Sequence, residues 1–244
     1  MHFTTVVSVV LAAASHAAAA PFIQQLQARD TVPHDSLNPL PEAIRTGTEG
    51  DGIKRFAPQL HIAHGCQPYT AVNDAGDTSG GLQDTGSSTG GCRDTTKGQT
   101  YTRGAWHNGR FGIMYAWYFP KDQPSDGVST GAHRHDWENV VVWLDDPAAD
   151  TPTLIGAAAS GHGEYKKTTE PQRNGDAVMV EYFTNFPTNH ELQFKTSEGV
   201  MYALLDWDVM TEAARTALQD TDFGDANVPF KDGDFEGNLD KAWV

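Results

Sequence analysis

Between Thr130 and Leu144 the chain reads TGAHRHDWENVVVWL, which places His133, Arg134, His135, Asp136 and Glu138 within six consecutive positions and then runs directly into apolar sequence. If Arg134 to Leu144 is extended, side chains alternate: Arg134, Asp136 and Glu138 share one face, and His135, Trp137 and Asn139 share the other. Two carboxylates two positions apart on a strand face lie roughly 7 Å apart at Cα, close enough to converge on one ion. A third acid, Asp122, ends the segment FPKD. The loop that follows, DQPSDGVSTGA, is rich in turn residues, so the chain can return beside itself and bring Asp122 to Asp136 and Glu138. Three carboxylates with one or two imidazoles form a hard, oxygen-rich ligand set suited to Ca2+, Mg2+ or Mn2+ rather than Zn2+. The H-E-x-x-H pattern of helical zinc hydrolase sites is absent.

Three readings of these residues stand side by side. They are a cation site, a charged strand end in which Arg134 pairs with Asp136 or Glu138, or a Ca2+-assisted polysaccharide lyase or hydrolase with His133 or His135 as base and Asp136 or Glu138 as acid. The density of ionisable groups beside the most aromatic stretch of the chain favours the cation site. Other signals are weaker. GSSTG at Gly86 to Gly90 formally matches G-x-S-x-G, but without a strand before it or a helix after it the match is chance within a Gly/Ser/Thr tract. His162, in SGHGEY, either lines the same cavity or is a turn histidine bonded to backbone. Trp207, in LLDWDVM, is either core or an aromatic at a membrane interface.

The elements that must position these groups are strands. Phe111 to Phe119, FGIMYAWYF, is short and aromatic, with Gly112 near its start and Pro120 after its end. Glu138 to Leu144, Leu154 to Ala159, Ala177 to Tyr182 and Val200 to Leu205 are further short apolar runs set off by turn residues, which together predict a β-rich core with long polar loops. The period changes at Thr211 to Leu218, where TEAARTAL predicts a helix capped by Thr211, and a second short helical turn is predicted over Glu236 to Trp243. The opening MHFTTVVSVVLAAASHAAAAPF has an apolar core followed by small residues and reads as a secretory signal peptide over residues 1–20. A single domain then occupies 21–244, with 21–50 as an N-terminal wrap or leader.

Charge and cysteine content narrow the partners. With 17 Lys and Arg against 32 Asp and Glu the formal net charge is −15, which argues against nucleic acid and against simple adhesion to anionic lipid, and suits a site that gathers cations. Cys66 and Cys92, the only two cysteines, are expected to form one disulfide in a chain read as secreted. That bridge closes a Gly-, Ser-, Thr- and Asp-rich loop and is expected to contribute roughly 3–4 kcal/mol. No stretch after the leader approaches the length of a membrane span, so any membrane contact is peripheral.

GIMYAWYFPKD followed by AHRHDWENVVVWL resembles the signature of the necrosis- and ethylene-inducing-peptide-like proteins, secreted plant-active toxins of fungi, oomycetes and bacteria. The resemblance runs more loosely from VPHDSLNP through AAASGHGEY to FGDANVPFKDGDFEGNL, and the two cysteines resemble the disulfide of the family's commonest class. It implies a single-domain β-sandwich similar to actinoporins and fungal lectins, with short peripheral helices and a divalent cation, Mg2+ or Ca2+, at one end. It also implies docking on glycosylinositol phosphorylceramide head groups of plant plasma membranes and membrane damage without enzymatic turnover, or, in some members, binding without lysis. Carried over by motif, the ion site is Asp122, Asp136 and Glu138 with His133, while Arg134, His135 and Trp137 support it. His162, Trp207 and Asp208 would contact the head group or membrane. The family's usual G-H-R-H-D-W-E begins here with Ala132; if its glycine needs a positive φ, the loop must bend elsewhere, at Gly131.

Overall fold

FGIMYAWYF and ENVVVWL become neighbours in the middle of the larger of two main sheets, and their length and burial dominate the architecture. The computed structural model describes residues 1–2, 29–185 and 188–244; the leader, apart from residues 1–2, and the start of the wrap, 21–28, lie outside the described residues. In chain order the strands are β1 (Thr31–Val32), β2 (Gln59–Ile62), β3 (Thr78–Ser79), β4 (Thr100–His107), β5 (Arg110–Asp122), β6 (His133–Leu144), β7 (Leu154–Gly161), β8 (Glu164–Thr168), β9 (Arg173–Asn174), β10 (Ala177–Thr184), β11 (His190–Phe194) and β12 (Leu204–Asp206). The helices are α1 (Thr48–Arg55), α2 (Glu212–Asp220) and α3 (Phe235–Lys241), with a single 3-10 turn at Trp207–Val209.

The larger sheet has the order β12-β4-β5-β6-β7-β8, and the smaller has β11-β10-β2, with β9 on the flank of β10. β11 of the smaller sheet approaches β6 and β7 of the larger, so the two layers meet where the long hairpin ends. Phe111 to Asp122 and Trp137, Glu138 and Val140 to Leu144 are all buried, with Trp117, Trp143 and Tyr115 fully so. Strands buried on both faces read as continuous apolar runs rather than alternating ones, which explains FGIMYAWYF and VVVWL. The predicted strand Val200 to Leu205 is shorter than expected, at Leu204–Asp206, because Val200 makes only an isolated bridge to Leu60. The helix predicted at Thr211 forms over Glu212–Asp220, with the Thr211 hydroxyl accepting from the Ala214 N–H as an N-cap.

β5 and β6 pair in antiparallel register from Phe111 opposite Leu144 to Asp122 opposite His133. This register carries Asp122 to the same end of the sheet as the histidine cluster. The loop 123–132 that closes the hairpin is braced from outside. Lys121 Nζ donates to the Ser87 carbonyl (2.6 Å), Gln123 Nε2 donates to the Gly86 carbonyl (3.0 Å), and the Ser88 amide and hydroxyl donate to Asp126 (2.7 and 2.8 Å). Residues 86–88 belong to the loop closed by the Cys66–Cys92 disulfide, whose cysteines are separated by 26 in sequence. Replacing both cysteines with alanine is expected to lower stability by about 3–4 kcal/mol in urea unfolding, the chain-entropy contribution of a loop of this length; a loss below 1 kcal/mol would contradict it.

Candidate metal centre

At the loop end of the β5–β6 hairpin, ligand atoms of Asp122, His133 and Asp136 all lie within 4.8 Å of one another, close enough to share one cation. Strict alternation could not have produced this trio, because His133 and Asp136 are three positions apart. His135 supplies the difference: its φ is 63°, the left-handed region, inside an otherwise extended strand. The consequence is a corrected face assignment. Arg134 and His135 both lie against Gly81, Arg134 Nη1 donates to the Gly80 carbonyl (2.9 Å), and Arg134 shares no face with Asp136 and Glu138. His135 Nδ1 shares a 2.6 Å hydrogen bond with the Tyr118 hydroxyl and packs edge-on to Phe223. Burial, reinforced by Arg134 and His133, pushes its imidazole down to about 4, so it is neutral near pH 7. With Nδ1 committed to Tyr118 and so low a proton affinity, His135 is a poor base for chemistry beside the acids.

Each member of the trio is oriented by a neighbour. His133 Nδ1 lies 2.6 Å from the backbone carbonyl of His135, which fixes Nδ1 as the protonated nitrogen and leaves Nε2 to face Asp122 Oδ2 at 3.7 Å and the Asn189 amide at 2.9 Å. Burial pulls the His133 imidazole down, but Asp136 and Asp122 outweigh it and the net shift is upward. Burial first, and Asp122 second, push the Asp136 carboxyl up from 3.8 to about 7. Glu138, set well above its ordinary 4.5 by burial and then by Asp136, is not one of the trio; its Oε2 accepts from the Ser160 hydroxyl, which in turn accepts from the backbone N–H of Asn139.

His133, Asp136 and Glu138 open onto a cavity of about 490 Å3, whose lining also includes His162, Glu164, Asp225 and Asn227, with Lys231 and Lys241 from the C-terminal segment. Asp122 is buried and is not among the lining residues. His162 stands at the rim on the two-residue turn His162–Gly163, where both φ values are positive, with Nε2 3.6 Å from Glu191 Oε2. The other two expected contact residues are elsewhere. Trp207 is core, 5% exposed, against Phe230 and beneath Arg103, and Asp208 pairs with Arg45 at 3.0 Å; neither lines the cavity. β12 pairs with β4, which takes Trp207 into the core while Asp208 and Val209 stay exposed.

The family model for Necrosis inducing protein (NPP1) matches residues 51–242. This chain belongs to that family. It is 46% identical over 219 residues to "Necrosis-inducing protein NPP1" from Phytophthora nicotianae, covering 88% of this chain and 91% of that one. Among solved structures, "NLPPya in complex with mannosamine" is 44% identical with a TM-score of 0.81, covering 88% of this chain and 99% of its own. "Crystal structure of non-toxic HaNLP3 protein" is 42% identical, also with a TM-score of 0.81, covering 86% and 98%. The β-rich fold with short helices is thus the necrosis-inducing protein fold. In this member Gly131 takes φ 76° while Ala132 stays out of the left-handed region, its amide donating to the Ser129 carbonyl (3.1 Å). The bend expected at Gly131 is where the loop turns.

The Asp136 carboxyl, raised by burial, holds a proton in the folded state that the unfolded chain releases, so its contribution to stability is full below 3.8 and is lost as pH rises through about 7. The metal-free chain is therefore expected to melt at a lower temperature at pH 8 than at pH 5 in EDTA. Asp136→Asn, which removes the charge, is expected to flatten this slope in a thermal-melt series; an unchanged slope would contradict the assignment.

Proposed function

We propose that the chain is a secreted cytolysin that docks on sphingolipid head groups of plant plasma membranes, of the glycosylinositol phosphorylceramide class, through a divalent cation, Mg2+ or Ca2+, at Asp122, His133 and Asp136. The observation that carries this reading is the trio itself: three donor atoms within 4.8 Å of one another, two of the three side chains on the wall of a cavity large enough for a sugar. Two carboxylates and a neutral imidazole nitrogen fit a hard divalent ion, and burial makes those carboxylates costly to charge without one. A cation there would supply positive charge and open coordination positions to an anionic or hydroxyl-rich ligand. The need for it follows from sign, since a chain of net charge −15 repels phosphate unless a cation stands between them. Glu138, one strand repeat further along the cavity wall, is suited to accept from a ligand hydroxyl or an ion-bound water.

The relative crystallised with mannosamine favours a sugar as ligand. The peripheral mode of membrane contact accords with the described helices, none of which is long and apolar enough to cross a bilayer. A second reading has its own observation: a relative described as non-toxic has the same fold at comparable identity, so a member can keep the architecture without lysing cells. On that reading this chain binds sugar lectin-like and stops there. The polysaccharide lyase or hydrolase alternative keeps only His133 as a base, and the relatives are named as effectors and necrosis-inducing proteins.

Calcein release from vesicles with and without glycosylinositol phosphorylceramide, in Mg2+ or Ca2+ and in EDTA, separates these readings. Leakage is expected only with the sphingolipid and the cation together, and Asp122→Ala and Asp136→Ala are each expected to reduce it at least tenfold. Leakage that persists in EDTA and in both variants would sink the cytolysin mechanism proposed here. Binding without leakage would select the lectin-like reading, and cation-dependent release of reducing or unsaturated sugar from wall polymers would select the enzyme.

A further inference from the structure

Two donors outside the heptapeptide reach the paired acids from the smaller sheet. The Tyr182 hydroxyl on β10 donates to Asp136 Oδ2 (2.8 Å). At the start of β11, His190 holds Asp122 twice, through Nδ1 to Oδ1 (2.5 Å) and through its backbone N–H to Oδ2 (3.0 Å). Thr184 Oγ1 lies 3.0 Å from His190 Nε2, so the ring can accept there and donate from Nδ1. The two rings are not independent. Tyr182 stacks on His190 with centroids 4.6 Å apart and planes within 9°, and on its other side stacks on Phe119 of β5 at 3.9 Å and 7°. This column of three parallel rings runs across both sheets. Its outer edge is closely covered: a methyl on Gly65, which sits at φ 74° beside Cys66, would come within 2.5 Å of His190 Nε2.

We propose that Tyr182 and His190 form a positioning pair for the cation site, the side chain of each bonding one oxygen of a carboxylate and so orienting the other oxygen toward the ion. This rests on the cation-site reading above. On Asp122, Oδ1 takes the imidazole, and Oδ2, steadied by the His190 backbone N–H, is the oxygen 3.7 Å from His133 Nε2. In Asp136, Oδ2 takes the phenol and Oδ1 is left for the ion. A carboxylate held in this way is pre-oriented and offers one oxygen rather than a bidentate face, which leaves coordination positions open for the ligand. Because the column is shared, the smaller sheet sets the geometry of ligands that all reside on the larger one.

Isothermal titration of the full chain with MnCl2, using the metal alone, tests this. Tyr182→Phe keeps the stacked ring and removes only the hydroxyl; it is expected to weaken Mn2+ binding about 10- to 100-fold, the usual cost of losing such an outer partner. His190→Ala is expected to do the same, whereas His190→Asn, whose amide nitrogen can take the place of Nδ1, is expected to restore most of the affinity. A purely structural role would lower the melting temperature in EDTA without this donor-dependent pattern. Wild-type affinity in Tyr182→Phe, or a His190→Asn variant as weak as His190→Ala, would overturn the proposal while leaving the cation site standing. No binding by the wild-type protein would remove the cation site and the positioning pair with it.

Discussion

The constraint on which the rest depends is the burial of carboxylates at the loop end of the long hairpin. Asp122, Asp136 and Glu138 are all 6% exposed or less, and taking such groups out of water is unfavourable unless partners or an ion compensate. The protein supplies compensation to each acid separately: His190 to Asp122, Tyr182 to Asp136 and Ser160 to Glu138. These donors come from β7, β10 and β11, so the two sheets must pack in one relative position for the acids to be tolerated at all. The same packing closes the cavity wall. Fold and site are thus one problem, and burial raises the proton affinities of Asp136 and Glu138.

Two local features turn that burial into a site. The unbroken β5–β6 register sets Asp122 opposite His133, and the left-handed residue His135 then returns Asp136 to the side that His133 already faces. A non-glycine residue in that conformation is uncommon, and here it persists because Tyr118 and Phe223 hold the ring. Positive-φ glycines do the corresponding work around it. Gly131 bends the loop so that Ala132 need not, and Gly81 leaves room for Arg134 and His135 together.

Much of this was legible from residue types alone. The aromatic run FGIMYAWYF and the turn-rich loop after Asp122 were enough to foresee a return that brings Asp122 to the cluster, because hairpin geometry is local. The pairing of Cys66 with Cys92 was legible for a simpler reason: there are only two cysteines. Alternation failed at one residue, His135, since nothing in the letter H announces a positive φ. Glu138 bonds to Ser160 across 22 positions, and Tyr182 and His190 reach the acids across 46 and 68. Such partners carry no spacing signal. Strand β4, TYTRGAWH, lacked a continuous apolar run and contains Gly104, so periodicity passed over it. Trp207, carried over as a contact residue, is core instead, whereas Asp208 is exposed but pairs with Arg45 away from the cavity; a short apolar segment beside acids reads the same whether it edges a sheet or a membrane.

The measurement that bears most directly on the account is anomalous diffraction from a crystal soaked in Mn2+. The expected result is one strong anomalous peak within about 2.0–2.3 Å of an oxygen of Asp122, an oxygen of Asp136 and Nε2 of His133, distances usual for a hard divalent ion and its oxygen and imidazole ligands. A well-occupied peak elsewhere with none between these three side chains, or no peak at all in a crystal that diffracts well, would contradict it.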